Sequence, residues 1–140
     1  MNIRRFEETD RLILQKLYLE VRVSTFNWLD TSKFNLCDFD SSTLDEKIWV
    51  AIYKNKIVGF VSVYQPDNFI HNLYVDVSMK NKGIGTLLLE EVLKNTARPV
   101  SLKCISKNTK ALSFYLAKGW KTVFEDEDKY GKYCLMHYTF

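Results

Sequence analysis

A chain of 140 residues with 46% hydrophobic and 14% aromatic side chains carries enough apolar material for an ordinary packed core, so neither disorder nor reliance on a disulfide or metal is expected. Its net charge of +3, with Lys and Arg scattered among acids, lacks the basic stripe of a nucleic-acid binder. Apolar runs such as Ile57 to Tyr64 are too short to cross a bilayer, and no apolar run follows the arginines of the first eight residues. A soluble cytoplasmic protein with no nucleic-acid or membrane partner is the expectation.

In chain order, Asn2 to Phe6 reads as a short strand. Thr9 and Asp10 offer a helix cap, followed by Leu12, Leu17 and Val21 at helical spacing. Ser24 to Thr43 is irregular and carries Phe26, Trp28, Phe34 and Phe39 among Asn, Asp and Ser. A long connection rich in aromatics is often functional. Ile48 to Tyr53 and Ile57 to Tyr64 read as a hairpin around Lys54-Asn55-Lys56, and Gln65-Pro66-Asp67-Asn68 as a second turn. The next strand, Phe69 to Val77, alternates Phe69, His71, Leu73 and Val75 on one face with Ile70, Asn72, Tyr74 and Asp76 on the other.

A helix from Ile84 to about Thr96 follows, with Ile84, Leu87, Leu88 and Val92 as its buried face and Glu90–Lys94 as a surface pair. Val100 to Ile105 is a strand. Asn108 caps a helix over Thr109 to Lys118 that Gly119 ends, and two closing strands span Trp120 to Glu125 and Tyr133 to Phe140. The order predicts a single α/β (α+β) domain over residues 1–140, built on one mixed, mostly antiparallel central sheet flanked by helices. Cys37, Cys104 and Cys134 have no metal-ligand spacing and read as buried free thiols. No metal site is expected.

The chemistry concentrates at Lys80-Asn81-Lys82-Gly83-Ile84-Gly85-Thr86. A strand ends, a glycine-rich turn follows and an apolar helix starts. Free N–H groups and partial positive charge at a helix start attract anions, and glycine lets a phosphate approach the backbone. A dinucleotide fingerprint would need glycine where Leu88 stands, and a P-loop would need a Gly-Lys-Ser/Thr that is missing. The bland alternative is that Gly83 and Gly85 only make a tight turn.

The same loop fits the acetyl-CoA motif Gln/Arg-x-x-Gly-x-Gly/Ala, with Lys80 in the first place. Further on, Asn108, Ala111, Phe114-Tyr115 and Gly119-Trp120 follow one another as in the second signature of GNAT-type N-acetyltransferases, and His71-Asn72-Leu73-Tyr74-Val75-Asp76 is similar to that family's strand before the loop. The chain resembles this family over essentially its whole length. It departs at Lys80, which keeps a donor, and at Trp120 where phenylalanine is usual.

The resemblance implies a GNAT-like fold and acetyl-CoA as cofactor. It implies that the backbone of Leu73, Tyr74 and Val75 meets the pantetheine and that Lys80, Asn81, Lys82, Gly83, Ile84, Gly85 and Thr86 hold the pyrophosphate. Asn108 would contact the pantetheine arm, and Tyr115 would serve as acid beside the sulfur. Tyr115 can equally be read as a core aromatic. His71 is the candidate base, sharing a face with Leu73 and Val75, and can equally be a positioned semi-buried histidine; Glu46, Asp76 and Glu127 are weaker options. A glutamate base found in some relatives falls on Phe69 and is not available. The expected acceptor is a small-molecule or peptide amine, in a pocket that Phe26, Trp28, Phe34, Tyr130 and Tyr133 would wall and to which Asp30, Asp38, Asp40, Glu127 or Asp128 would attract it; these aromatics can equally be read as core and these acids as a solvated rim. A homodimer through the final strands is common among similar proteins. A CoA-binding regulatory module without catalysis and an acyltransferase acting on a protein amine are the rival readings.

Overall fold

The computed structural model describes residues 1–140. Its strands are β1 (Asn2–Arg5), β2 (Lys47–Tyr53), β3 (Lys56–Tyr64), β4 (Phe69–Val75), β5 (Val100–Ile105), β6 (Lys121–Asp128) and β7 (Gly131–Tyr138). Its helices are α1 (Arg11–Thr25), α2 (Asp38–Ser42), α3 (Ile84–Asn95) and α4 (Thr109–Ala117). The strands form one seven-stranded sheet in the order β1-β2-β3-β4-β5-β7-β6. All neighbours are antiparallel except β4 and β5. This is the expected mixed sheet with flanking helices.

Local chemistry explains the turns. Lys54 and Asn55 both take positive φ, at 50° and 63°, which gives the two-residue turn that suits strand twist between β2 and β3. Asp10 fixes the start of α1. It accepts the Glu7 N–H at 2.8 Å and both Arg4 nitrogens at 2.8 and 2.9 Å, so β1 and α1 meet at one buried carboxylate.

Two cores lie on opposite faces of the sheet. On one, Leu14, Leu17, Tyr18 and Val21 of α1 and Phe39 of α2 pack on Ile48, Val50 and Phe60. On the other, Ile84, Leu88, Leu89 and Val92 of α3 and Tyr115 of α4 pack on Val61, Val63, Ile70, Leu102 and Met136. Two positions differ from the sequence expectation. Leu14, not Leu12, turns inward, and Leu12 is 71% exposed. In α3, Leu89 is buried and Leu87 exposed, because the apolar stripe is wide enough for either leucine. Glu90 and Lys94 form no ion pair; the five salt bridges belong to Arg4, Arg11, Arg22 and His71.

Gly59 on β3 is required by close approach. A Cβ there would stand 2.9 Å from the Tyr74 backbone oxygen and 3.4 Å from both Ile84 and Leu88. Gly59→Ala is therefore expected to cost about 1–3 kcal/mol, measured by chemical denaturation.

Candidate active site

The site is built on an opening in the sheet. β4 and β5 pair in parallel only at Phe69↔Ser101 and Ile70↔Leu102, and then diverge. β5 continues against β7 to Ile105, while β4 continues against β3 to Val75. Beyond Ile70, the β5-facing edge of β4 has no strand partner. The Asp76 N–H bonds Val58 on β3 at 2.8 Å. Backbone groups alternate along an antiparallel strand, so Tyr74 also turns its backbone to β3, and Leu73 and Val75 turn theirs into the opening. Of the three residues expected to offer backbone, Leu73 and Val75 have theirs unpaired with β3, whereas Tyr74 has its backbone paired with β3 and its side chain in the α1 core.

A one-residue irregularity sets the faces of β4. Asn72 pairs with Ser62 and Ile70 with Val63, so His71 is the extra residue of a bulge. The bulge breaks the simple alternation. Ile70, Leu73 and Val75 pack toward α3. Tyr74 packs in the α1 core, and Asn72 bonds Ser42 beside α2 at 3.2 Å and Ser62 at 2.9 Å. His71 does not share a face with Leu73 and Val75 as the period of two suggested. It turns toward the α2 side, where its Nδ1 lies 2.7 Å from Glu46 Oε2.

That contact shapes the histidine. The Glu46 side chain is only 7% exposed while that of His71 is 44% exposed. Glu46 Oε1 is buried without a partner. The hydrogen bond to Glu46 raises the His71 pKa above its ordinary value, against the opposing effect of burial. The carboxylate holds Nδ1 and so orients the ring, and the Ser42 carbonyl adds to the upward shift.

Where β4 ends, Asp76 Oδ1 accepts from the Ser78 N–H at 2.9 Å and hydroxyl at 2.8 Å. Asp76 is thus spent on the turn. Asn81 and Gly83 follow in left-handed geometry, with φ of 64° and 78°. Gly83 caps α3 with no side-chain bond, and the first N–H bonded back to it belongs to Leu87, at 3.1 Å. The N–H groups of Ile84, Gly85 and Thr86 therefore have no acceptor in the helix. Nothing lies within 4 Å of the place a Gly83 Cβ would take. Lys80, Asn81, Lys82 and Gly83 are exposed, whereas the Ile84 side chain anchors the helix start in the core. These groups fit a diphosphate: free donors, open approach and two lysines.

On α4, the Asn108 side chain accepts from the Ala111 N–H at 3.4 Å, so its oxygen caps the helix. Only its amide nitrogen is left for another molecule. Tyr115 is 9% exposed and packs on Phe114 and Trp120 at ring distances of 5.3 and 5.8 Å. Its hydroxyl makes no hydrogen bond in the protein, yet it is not among the sealed unpaired polar atoms, which belong to Trp28, Glu46, Gln65, Thr96 and Trp120. The small exposed part of Tyr115 therefore includes the hydroxyl. Burial drives its pKa well upward, so the phenol holds its proton. Tyr115 is thus both a core aromatic and an accessible donor.

The acids expected to attract an amine are largely committed elsewhere. Asp38 binds Arg22 at 3.0 Å, Asp40 binds Arg11 at 2.6 Å and Gln15 at 2.9 Å, and Asp30 accepts the Ser32 N–H at 3.0 Å. Phe34 lies against the Arg22 guanidinium at 4.3 Å, and Tyr133 lies against Lys103 at 4.7 Å. Phe26 and Trp28 stack edge to face at 5.5 Å and are half-buried. Tyr130 sits exposed at the β6–β7 turn. Cys37 is exposed, contrary to expectation, while Cys104 and Cys134 are buried register partners on β5 and β7. Sequence reading missed Arg22, and Tyr18 with its bond to Ser42 at 3.1 Å. It weighed Glu46 only as a base in its own right. No sequence spacing signals a pairing between residues 25 apart on an irregular segment and a strand.

The model of the acetyltransferase (GNAT) family matches residues 13–120. The chain belongs to this family. A GNAT acetyltransferase uses acetyl-CoA as its cosubstrate, and the unsatisfied amides of α3 and the open edge of β4 fit that molecule. Solved structures agree in fold. An N-acetyltransferase from Staphylococcus aureus Mu50 is 19% identical, with a TM-score of 0.79 over 99% of this chain and 100% of that one. The apo form of YjaB from Escherichia coli is 19% identical, with a TM-score of 0.78 over 98% and 96%. The Salmonella typhimurium protein yncA, solved with acetyl-CoA, is 16% identical, with a TM-score of 0.74 over 99% and 93%. No helix of this acetyltransferase is long and apolar enough to cross a membrane.

Proposed function

We propose that this GNAT acetyltransferase moves the acetyl group from acetyl-CoA directly to a primary amine, with His71 as base and Tyr115 as acid. The observation that carries the reading is the opening between β4 and β5. It has free backbone on one edge, unsatisfied α3 amides at one end, and a proton-bearing phenol at the α4 side.

The α3 amides with Lys80 and Lys82 hold the pyrophosphate, and the Leu73 and Val75 backbone pairs with the pantetheine as an added strand would. A backbone N–H there also stabilises the charge that develops on the thioester oxygen. The acceptor nitrogen attacks the carbonyl carbon and the carbon–sulfur bond breaks. His71 Nε2 takes the proton leaving the amine, directly or through one water, and Tyr115 gives its proton to the departing thiolate. Glu46 holds the imidazole and offsets the charge it gains. No protein thiol is used. Burial pushes the Cys104 thiol up to about 11, which keeps it protonated and a poor nucleophile.

Titration calorimetry with acetyl-CoA tests the first half. Lys80→Glu with Lys82→Glu is expected to weaken binding by about tenfold or more at low salt without loss of folding, since two exposed cations become anions beside the phosphates. Absence of acetyl-CoA binding by the folded wild type would remove the reading.

A further inference from the structure

Arg22 stands apart from the other arginines. Its side chain is 9% exposed, near the C-terminal end of α1. The guanidinium lies 3.9 Å from the ring centre of Tyr18 and 4.3 Å from that of Phe34. Nε donates to the Tyr18 carbonyl at 3.3 Å and Nη2 to Asp38 at 3.0 Å. Nη1 has no partner in the protein and is not sealed from solvent. A buried, stacked guanidinium with one unused NH2 is a costly way to tie two helices together, because a surface pair would do so without desolvating the charge. It is well suited to receive an anion.

Its neighbour Tyr18 links it to the strand that borders the opening. The Tyr18 ring meets Tyr74 at 5.2 Å, and Tyr74 lies on the strand that borders the opening. The Tyr18 hydroxyl bonds Ser42, which bonds Asn72 next to His71. The charge of Arg22 reaches the phenols of both Tyr18 and Tyr74 and favours their ionised forms, although burial dominates each. The acids of this face each meet a cationic or protonatable partner: Asp38 bonds Arg22, and Glu46 bonds His71. Such a balance suits a zwitterion better than a polycation.

Resting on the acetyl-transfer reading above, we infer that the acceptor is a small amino acid whose carboxylate binds the free Nη1 of Arg22 while its amine points to the β4–β5 opening. The aromatic pair Phe26 and Trp28, which follows Arg22 in the chain, lies toward the acceptor's side chain.

The test is a thiol-release assay on three kinds of amine with acetyl-CoA: the common L-amino acids, the amines formed by their decarboxylation, and a C-terminally amidated peptide with spermidine. At least one amino acid is expected to exceed its decarboxylated partner about 10- to 100-fold in kcat/KM, the worth of a charge-assisted hydrogen bond. Arg22→Lys is expected to erase most of that preference through the acceptor KM, leaving the acetyl-CoA KM unchanged. Calorimetry of the matching N-acetyl amino acid against CoA-loaded protein gives a readout without turnover, and it decides the matter if the variant fails to fold. Equal or better use of decarboxylated amines, amidated peptide or spermidine overturns the inference and leaves acetyl transfer standing. Binding of acetyl-CoA with no amino acid acetylated overturns it too. Failure to bind acetyl-CoA removes both readings together.

Discussion

Tyr115→Phe is expected to lower kcat by about 10²-fold or more, with the Kd for acetyl-CoA unchanged. The ring stays, so its contacts with Phe114 and Trp120 in the α4 core persist. The hydroxyl bonds no protein group, so its loss leaves no orphaned partner inside the fold. That isolation makes the substitution a clean probe. Single-turnover kinetics and calorimetry on one preparation check it, and an unchanged rate would sink the assignment. Because burial holds the pKa far above neutrality, the phenol keeps its proton across the working range, and wild-type activity should show no limb from Tyr115 near neutral pH.

His71→Ala is expected to cost a comparable factor, and the pH profile tells it apart from a structural lesion. The acidic limb of kcat/KM in the wild type should lie above the ordinary histidine value of about 6.5, because the hydrogen bond donated to Glu46 raises the pKa. Glu46→Gln should move that limb to lower pH while the ring remains in place. A limb that stays where it was in Glu46→Gln refutes His71 as base. The same linkage acts on stability. The folded pKa is raised, so the pair favours the folded state below the unfolded histidine pKa, and this contribution is lost as pH rises through the folded value. His71 is 44% exposed, so solvent screens the effect and the kinetic limb is the better readout.

Much of this enzyme could be read in its sequence because the relevant signals are local. Lys54-Asn55 marks a hairpin without reference to anything distant. The loop from Lys80 to Thr86 announces a helix start with open amides, since glycine, charge and apolar helix lie side by side in the chain. Asn108 and Gly119 bracket α4 in the same way. What escaped was non-local or depended on a single residue of slip. His71 changed layers because one bulged residue cancels a period-two argument from that point onward. Leu12 and Leu14 both suit a helical stripe, and only the packed sheet chooses between them. The acids Asp38 and Asp40 looked available because their arginines lie 16 and 29 residues away on another helix. Arg22 gave no signal, since an arginine in a helix is usually a solvated one.

The junction between β4 and β5 is only two residue pairs wide. Mechanically, the sheet is two plates, one of four strands and one of three, joined at a short weld. A ladder of hydrogen bonds is what makes a sheet stiff, and here it is interrupted where the reactants must meet. A molecule laid along the slot splints the plates together. Occupancy should then be felt as rigidity well beyond the residues touched, with amides of β5 and β7 exchanging more slowly although neither strand meets the phosphates.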